Sequence, residues 1–275
     1  MFGAVAALAG AGSALADSPP SLSVSPPFVV LDGAAPATLT VTNTGTEATT
    51  IAVTTGNYVV RADGSVQVDP PLTPGRSARN WLRVSPANLP LAAGASGTVS
   101  VNAVPARAAA PGDHQALVLL TSAGATGGQV AIQARVGVNV LVRVGGPLVR
   151  RLAVARLRVV TLKPPRRTPT SATPRVRRRV LRIRIANQGN LAERLLRRQV
   201  VVYLRRGRAK HVVATLLAKS TVILPGLGVT FDLPYSPRLK GLFRATLVVR
   251  PASQVAAGPG SPVLRRTKRT VSVRL

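Results

Sequence analysis

Cysteine is absent from this chain, which excludes a disulfide framework, a thiolate metal site and a cysteine nucleophile. That absence says nothing against export, because a surface domain can be held by packing alone. Aromatic residues are scarce, eight in all, which leaves little for stacking nucleic-acid bases. Acids are equally few, eight against thirty-seven lysines and arginines. Past the first sixteen residues no stretch reaches the roughly 18 uninterrupted apolar residues of a membrane span. The closing "RTVSVRL" reads as a strand and not as an anchor. No nucleophile elbow, phosphate-cradling loop or zinc spacing occurs. The two histidines, His114 and His211, fall in different halves and are expected as surface strand or turn residues. Asp32, Glu47, Asp63, Asp69 and Asp113 are expected in turns. A carboxylate pair in the second half would need Glu193 and Asp232 to meet. The expectation is therefore no enzyme, with no catalytic residue, no cofactor and no metal.

What is present is period two. "SLSVSP", "ATLTVTNTG", "TTIAVTTGNYVV", "GTVSVNAVP", "HQALVLLTS" and "QVAIQARVGVNVLVRV" alternate or run apolar, with Gly, Pro, Asn or Asp between them. Short strands at that spacing, with few helical windows, predict an all-β chain of immunoglobulin-like β-sandwiches. Asp32-Gly33 and Asp63-Gly64 read as turns, where glycine supplies positive φ, and not as calcium loops, which need clustered carboxylates. The first sixteen residues, "MFGAVAALAGAGSALA", are small and apolar and end in an A-x-A site, so 1–16 is expected to be a secretory signal peptide. Its basic leading region is missing, which places the expected start upstream of Met1.

The landmarks then repeat. "LTVTNTGTEATTIAV" (39–53) has a counterpart in "LRIRIANQGNLAERLLRRQVVVYL" (181–204), each an alternating strand running into Asn-x-Gly. "LPLAAGASGTVSV" (89–101) matches "VILPGLGVTFDLPY" (222–235), and "PGDHQALVLL" (111–120) matches "LKGLFRATLVV" (239–249). Two tandem sandwiches are expected, over residues 17–145 and 146–275, with the boundary at Gly145-Gly146-Pro147. Around the single tryptophan, Trp81, Leu82 and Val84 are expected in one strand. Ala92-Ala93-Gly94 is expected to form the corner, with Val99, Val101 and Ala103 returning on one face. Trp81 is expected in the core, in preference to a sugar-stacking platform.

Charge separates the two copies. From Asp17 to Gly145 seven arginines face six acids, a net of +1; from Gly146 to Leu275 thirty Lys/Arg face two acids, a net of +28. A bias in coding composition would act on both halves, so it does not explain the asymmetry. The density peaks in the Pro/Arg-rich loop 163–179, with Lys163, Arg166, Arg167, Arg175, Arg177, Arg178 and Arg179 and no acid. Its prolines keep it extended. In the strand that follows, Arg182 and Arg184 are expected on one face and Leu181, Ile183 and Ile185 on the other. "LRRGRAKH" (204–211) reads as a hairpin tip carrying Arg205, Arg206, Arg208 and Lys210. These thirteen residues form the candidate anionic-polymer site, since guanidinium groups bind phosphate and carboxylate bidentately.

Taken in order, strand-"NTG"-strand, "W-x-x-V-x-P", "L-x-x-G-x-S-x-T-V-x-V" and "P-G-x-H-x-A-x-V" resemble bacterial immunoglobulin-like domains of cell-surface proteins. The stretch from about residue 20 to 145 is most similar to the peptidoglycan-binding N-terminal domain of the WxL-interacting protein family. More distantly it resembles the N-terminal domain of periplasmic pilus-assembly chaperones. The first resemblance implies contact with cell wall or surface proteins. That family's transmembrane helix has no counterpart here, so membrane anchoring is not carried over. The second implies strand donation to a secreted subunit, for which "ARVGVNVLVRV" (134–144) has the apolar alternation. It also implies a basic anchor in the cleft between domains, which the sequence does not single out.

The leading expectation is an exported, non-enzymatic envelope protein at the cell wall, cell surface or outside. It would contact wall polymer or a surface protein through the first sandwich and anionic polymer or lipid head groups through the second. A pilus-chaperone-like protein is the second reading. An extracellular nucleic-acid binder is the third, opposed by the export signal and the scarcity of aromatics.

Overall fold

The computed structural model describes residues 21–33, 35–70, 75–123, 133–162, 178–207, 209–250 and 267–275. The expected signal 1–16 and most of the loop 163–179 lie outside the described residues. Apart from one short 3-10 turn the regular structure among the described residues is all strand, arranged as two tandem immunoglobulin-like β-sandwiches.

The first contains β1 (Leu22–Ser25), β2 (Phe28–Asp32), β3 (Ala37–Asn43), β4 (Thr49–Gly56), β5 (Tyr58–Val60), β6 (Val66–Val68), β7 (Leu82–Ser85), β8 (Asn88–Leu91), β9 (Ser96–Ala103), β10 (Gly112–Ser122) and β11 (Arg135–Val144). One sheet runs β1-β3-β9-β7 and the other β2-β11-β10-β4-β8, with β5 and β6 a separate hairpin. Two of the crossings between the sheets are made at proline, from β1 to β2 at Pro26-Pro27 and from β7 to β8 at Pro86. Proline has no N–H to give a ladder, so it suits the bend where a strand leaves one sheet for the other. β2 joins β11 in parallel; every other pairing of named strands is antiparallel. Alternate residues such as Leu39, Val41, Val99, Val101, Val118 and Val140 point inward and are fully buried between the sheets.

The second sandwich contains β12 (Leu152–Leu162), β13 (Arg178–Asn187), β14 (Glu193–Leu195), β15 (Val200–Arg206), β16 (Ala214–Leu217), β17 (Thr221–Ile223), β18 (Gly228–Pro234), β19 (Leu242–Val249) and β20 (Thr267–Arg274). β12-β13-β18 and β16-β15-β19-β20 form its two sheets, and β14 pairs with β17. Leu181, Ile183, Ile185, Val202, Phe243 and Leu247 are among the residues that fill it. No helix among the described residues is long and apolar enough to cross a membrane.

The repeat is visible bond by bond. Asn43 and Asn187 end equivalent strands and are 1% and 2% exposed, so their amides must be satisfied inside the protein. Asn43 Nδ2 donates to the carbonyls of Glu47 (2.7 Å) and Ala92 (3.1 Å), while its Oδ1 accepts from the Gly45 amide (3.0 Å). Asn187 Nδ2 donates to Leu191 (2.7 Å) and Ile223 (2.9 Å), and its Oδ1 accepts from Gly189 (2.9 Å). Even the backbone repeats: Gly94 N–H donates to the Asn43 carbonyl and Gly226 N–H to that of Asn187. These two glycines turn the Pro/Gly corners at φ +71° and +74°, a region open to glycine without a Cβ clash. Each asparagine thus ties the end of its strand to the corner that leads into the strand paired with it.

Three expectations need correction. Trp81 lies in a short 3-10 turn (Arg79–Trp81) and not in the strand, and is half-buried against the core with its ring 4.6 Å from that of His114. His114 is not at the surface: it stands in β10, 5% exposed, where the second sandwich has Phe243 at the matching place after its own glycine. Asp113 is not in a turn but is the second residue of β10 and 1% exposed. Strand β10 is covered on both faces, and a polar residue on a strand covered on both sides is buried whatever its propensity.

Replacing Asn187 by alanine should lower unfolding free energy by about 2 kcal/mol or more, because it strands two buried carbonyls and one amide. Asn88→Ala, at an exposed position on β8, should stay within about 0.5 kcal/mol. Denaturant titration of the two variants side by side checks the difference.

Candidate functional site

Two features of the first sandwich stand out: a buried ionic junction with the second sandwich at the Arg143 end of β11, and a half-open strand edge at the Arg135 end. The junction centres on Asp113. Arg143 of β11, opposite it in register, donates Nε to Oδ1 (2.8 Å) and Nη2 to Oδ2 (3.2 Å). The same Oδ2 accepts the backbone amide of Ala192, from the second sandwich, at 2.8 Å. Arg143 also reaches Asp32 at 3.7 Å. The hydrogen bonds to Asp113 raise the Arg143 guanidinium pKa above its ordinary value, against the cost of burial. A second pair flanks the first: Arg150 donates to both oxygens of Glu193 at 2.8 and 2.7 Å. Asn190 closes the joint, donating to the Pro111 and Pro147 carbonyls, while its own carbonyl accepts the Asp113 amide. That approach is so close that a Cβ on Gly112 would collide with the Asn190 backbone oxygen. Beside these polar groups, Leu117, Leu119, Leu141 and Tyr58 pack with Leu224 of the second sandwich into a small apolar cluster. Burial, helped by the Asp113 charge, pushes the Tyr58 phenol well above its usual range. The β5–β6 hairpin also crosses over, its Ala62 carbonyl accepting the Thr230 amide of β18.

The strand edge is that of β11. β2 covers only Asn139–Arg143 of it, starting from Phe28. Arg135–Val138 pair with β10 on one side and with no strand on the other among the described residues. The Asn139 amide donates toward β2 and the Ala134 carbonyl accepts from Ser122, so backbone groups of odd-numbered residues face outward and even-numbered ones face β10. Arg135 and Gly137 therefore present their N–H and C=O groups at the open edge. The side chains divide the other way. Val136, Val138, Val140 and Val142 enter the protein's own core, whereas Arg135 reaches Asp69 at 3.5 Å. Leu22 and Val24 of β1 and Val136 beside this edge pack against the core and are only partly buried.

Seven of the thirteen residues expected to hold anionic polymer lie among the described residues, in two groups. Lys163, Arg166, Arg167, Arg175, Arg177 and Arg208 lie outside the described residues. Arg178, Arg179, Arg182 and Arg184 are on β13, and Arg205, Arg206 and Lys210 are at the β15–β16 hairpin. The two groups belong to different sheets. Arg182 and Arg184 do share the outward face, but Arg182 is held bidentately by Asp232 at 2.6 and 2.7 Å. Arg179 donates to the Arg274 carbonyl, Arg205 to that of Lys210, and Arg206 lies 5.7 Å over the Phe243 ring. Glu193 and Asp232 do not form a carboxylate pair; each is held by its own arginine. Sequence reasoning missed Asp113, Arg143 and the edge of β11, none of which has a local motif. It also missed Arg156 and Arg158, whose orientation depends on a bulge.

Asp113→Ala should cost about 3–5 kcal/mol, since it leaves Arg143 with its charge largely buried and its main partner gone. It should also loosen the two sandwiches from one another, measured as faster amide exchange at Ala192. His114 supplies a pH dependence. Burial chiefly, and the Arg76 charge, lower its pKa below the ordinary value, against the hydrogen bond to the Ala110 carbonyl. The native state then binds fewer protons than the unfolded chain, so stability is lost as pH falls through the unfolded value of about 6.5. His114→Phe should shrink that loss, read from melting temperatures between pH 8 and 5 (roughly the window spanned by histidine titration).

No protein-family model matches the chain, and no curated protein matches it. Solved structures do. One is a chaperone–tip adhesin complex of CFA/I fimbriae, at 12% identity over 91% of this chain and 98% of that one, TM-score 0.49. Another is the class 5 fimbriae chaperone CfaA, at 13% identity over 91% and 98%, TM-score 0.48. A third is the Escherichia coli chaperone DraB, at 13% identity over 83% and 91%, TM-score 0.45. At such identity the likeness concerns the fold alone. The resemblance to WxL-interacting proteins, and with it peptidoglycan and cell-wall contact, finds no support among these neighbours.

Proposed function

We propose that the protein is a non-enzymatic, exported binding module whose half-open β11 edge takes up an extended segment of another protein as an added strand. The units would be those read from the sequence, 17–145 and 146–275, after loss of 1–16. The observation that carries the reading is the edge itself: Arg135 and Gly137 hold outward N–H and C=O groups beside partly buried Leu22, Val24 and Val136. An added strand would satisfy those groups, and alternate apolar side chains on it would cover the partly buried Leu22, Val24 and Val136. This recasts strand donation from 134–144. The valines of β11 already face its own core, so what the strand offers is its backbone. The ionic junction would serve by holding the second sandwich at a set position beside the edge.

Nothing at Trp81 favours the wall-contacting reading, because that ring stacks on His114 and the core. One of the fimbrial neighbours is described in complex with a tip adhesin, so extended segments of adhesin subunits are the first peptides to screen. Binding should slow hydrogen exchange at the Arg135 and Gly137 amides. Gly137→Pro removes one outward donor, and a Cβ there would stand 3.6 Å from Leu117 Cδ2, an ordinary contact. That variant should keep its fold and lose about tenfold in affinity, the worth of one hydrogen bond left unmade. Unchanged affinity and exchange would remove β11 as the binding edge.

A further inference from the structure

We propose that the outward face of β12-β13-β18 is a binding site for a linear phosphate polymer, independent of the β11 edge. Strand register puts Arg156 opposite Arg184 and Arg158 opposite Arg182. On the far side β18 sets Thr230 beside Arg184 and Asp232 beside Arg182. Four guanidinium groups thus occupy two adjacent rows of one sheet face. Their placement depends on a break in register between Val154 and Arg156. Leu152 and Val154 point into the core before it, and Leu157 and Val159 after it. The extra residue reverses the alternation, so Arg156 and Arg158 face solvent instead of the core.

Only one of the four is neutralised, Arg182 by Asp232. Arg156, Arg158 and Arg184 are exposed and make no ion pair among the described residues. Like charges directly opposite across a ladder repel, so the fold bears this arrangement at a cost that an anion would remove. The spacing, about 5 Å between strands and about 7 Å along them, forms a grid on which successive phosphates of a chain can each meet a guanidinium fork. The face carries no aromatic side chain for bases, which argues against nucleic acid. None of the exposed large apolar residues lies on these three strands, which argues against a bilayer.

The test uses the full chain with long-chain inorganic polyphosphate as the probe. Arg156→Ser/Arg184→Ser should weaken binding about tenfold at low salt and reduce the slope of log K against log salt by about 1.5, two contacts' worth. Without polymer the double variant should melt no lower than wild type, and the rise in melting temperature that polyphosphate gives wild type should shrink in it. Arg205→Ser/Lys210→Ser, at the hairpin tip, should bind as wild type does. Three results would overturn the proposal. One is unchanged affinity in the Arg156/Arg184 variant, and another is loss in the hairpin variant instead. The third is tighter binding of wild type to a thymidine oligonucleotide or to phosphatidylglycerol vesicles than to polyphosphate.

Discussion

The Asp113 carboxylate governs how the molecule holds together. A carboxylate 1% exposed is costly unless every lone pair has a partner, and here the partners come from both sandwiches: Arg143 from one, the Ala192 amide from the other. The apolar cluster around Leu141 and Leu224 would tolerate sliding, because dispersion and burial have little directional preference. A bidentate arginine and a backbone donor do not tolerate it. The contribution of this pair is therefore to fix one arrangement among several of similar burial, more than to add net stability. The lack of room for a Cβ on Gly112 beside the Asn190 carbonyl shows how close an approach that arrangement requires.

Other features were legible in the sequence to the degree that their cause was local. Strand–Asn-x-Gly stands at 43–45 and again at 187–189, and both asparagines perform the same task with the same bonds, since a short amide at a strand end can span the turn that follows. The outward placement of Arg182 and Arg184 follows from period two alone. Asp113, His114 and Trp81 were misplaced because local propensity puts Asp after Pro-Gly in a turn and His at the surface. Both faces of β10 are covered, one by its own core and one by the second sandwich, and that covering is a tertiary fact. The break at Val154/Arg156 was equally unreadable: "LAVARLRVV" alternates acceptably in either phase, and only the packed core selects one.

The scarcity of acids gains a meaning once they are placed. In the second sandwich Glu193 sits at the joint and Asp232 on the arginine face, each bidentate with one guanidinium. Neither does much to lower the field of the whole, but each orients a particular side chain. A paired arginine keeps a set rotamer, which lowers the entropy lost when neighbouring groups meet a ligand. Asp232 thus steadies one corner of a grid whose remaining members keep their full charge.

The two halves consequently rely on different physics. At the β11 edge the proposed attraction would be made of backbone hydrogen bonds and apolar contact, which salt within the ordinary range barely screens. On the β12-β13-β18 face it is counterion release, which salt weakens steeply. The net of +1 against +28 keeps these terms apart: a strongly basic first sandwich would draw polyanion across its own edge and compete with an incoming strand. On the two proposals together, a single chain would hold a protein segment on one sandwich and an anionic polymer on the other, joined through the Asp113 junction.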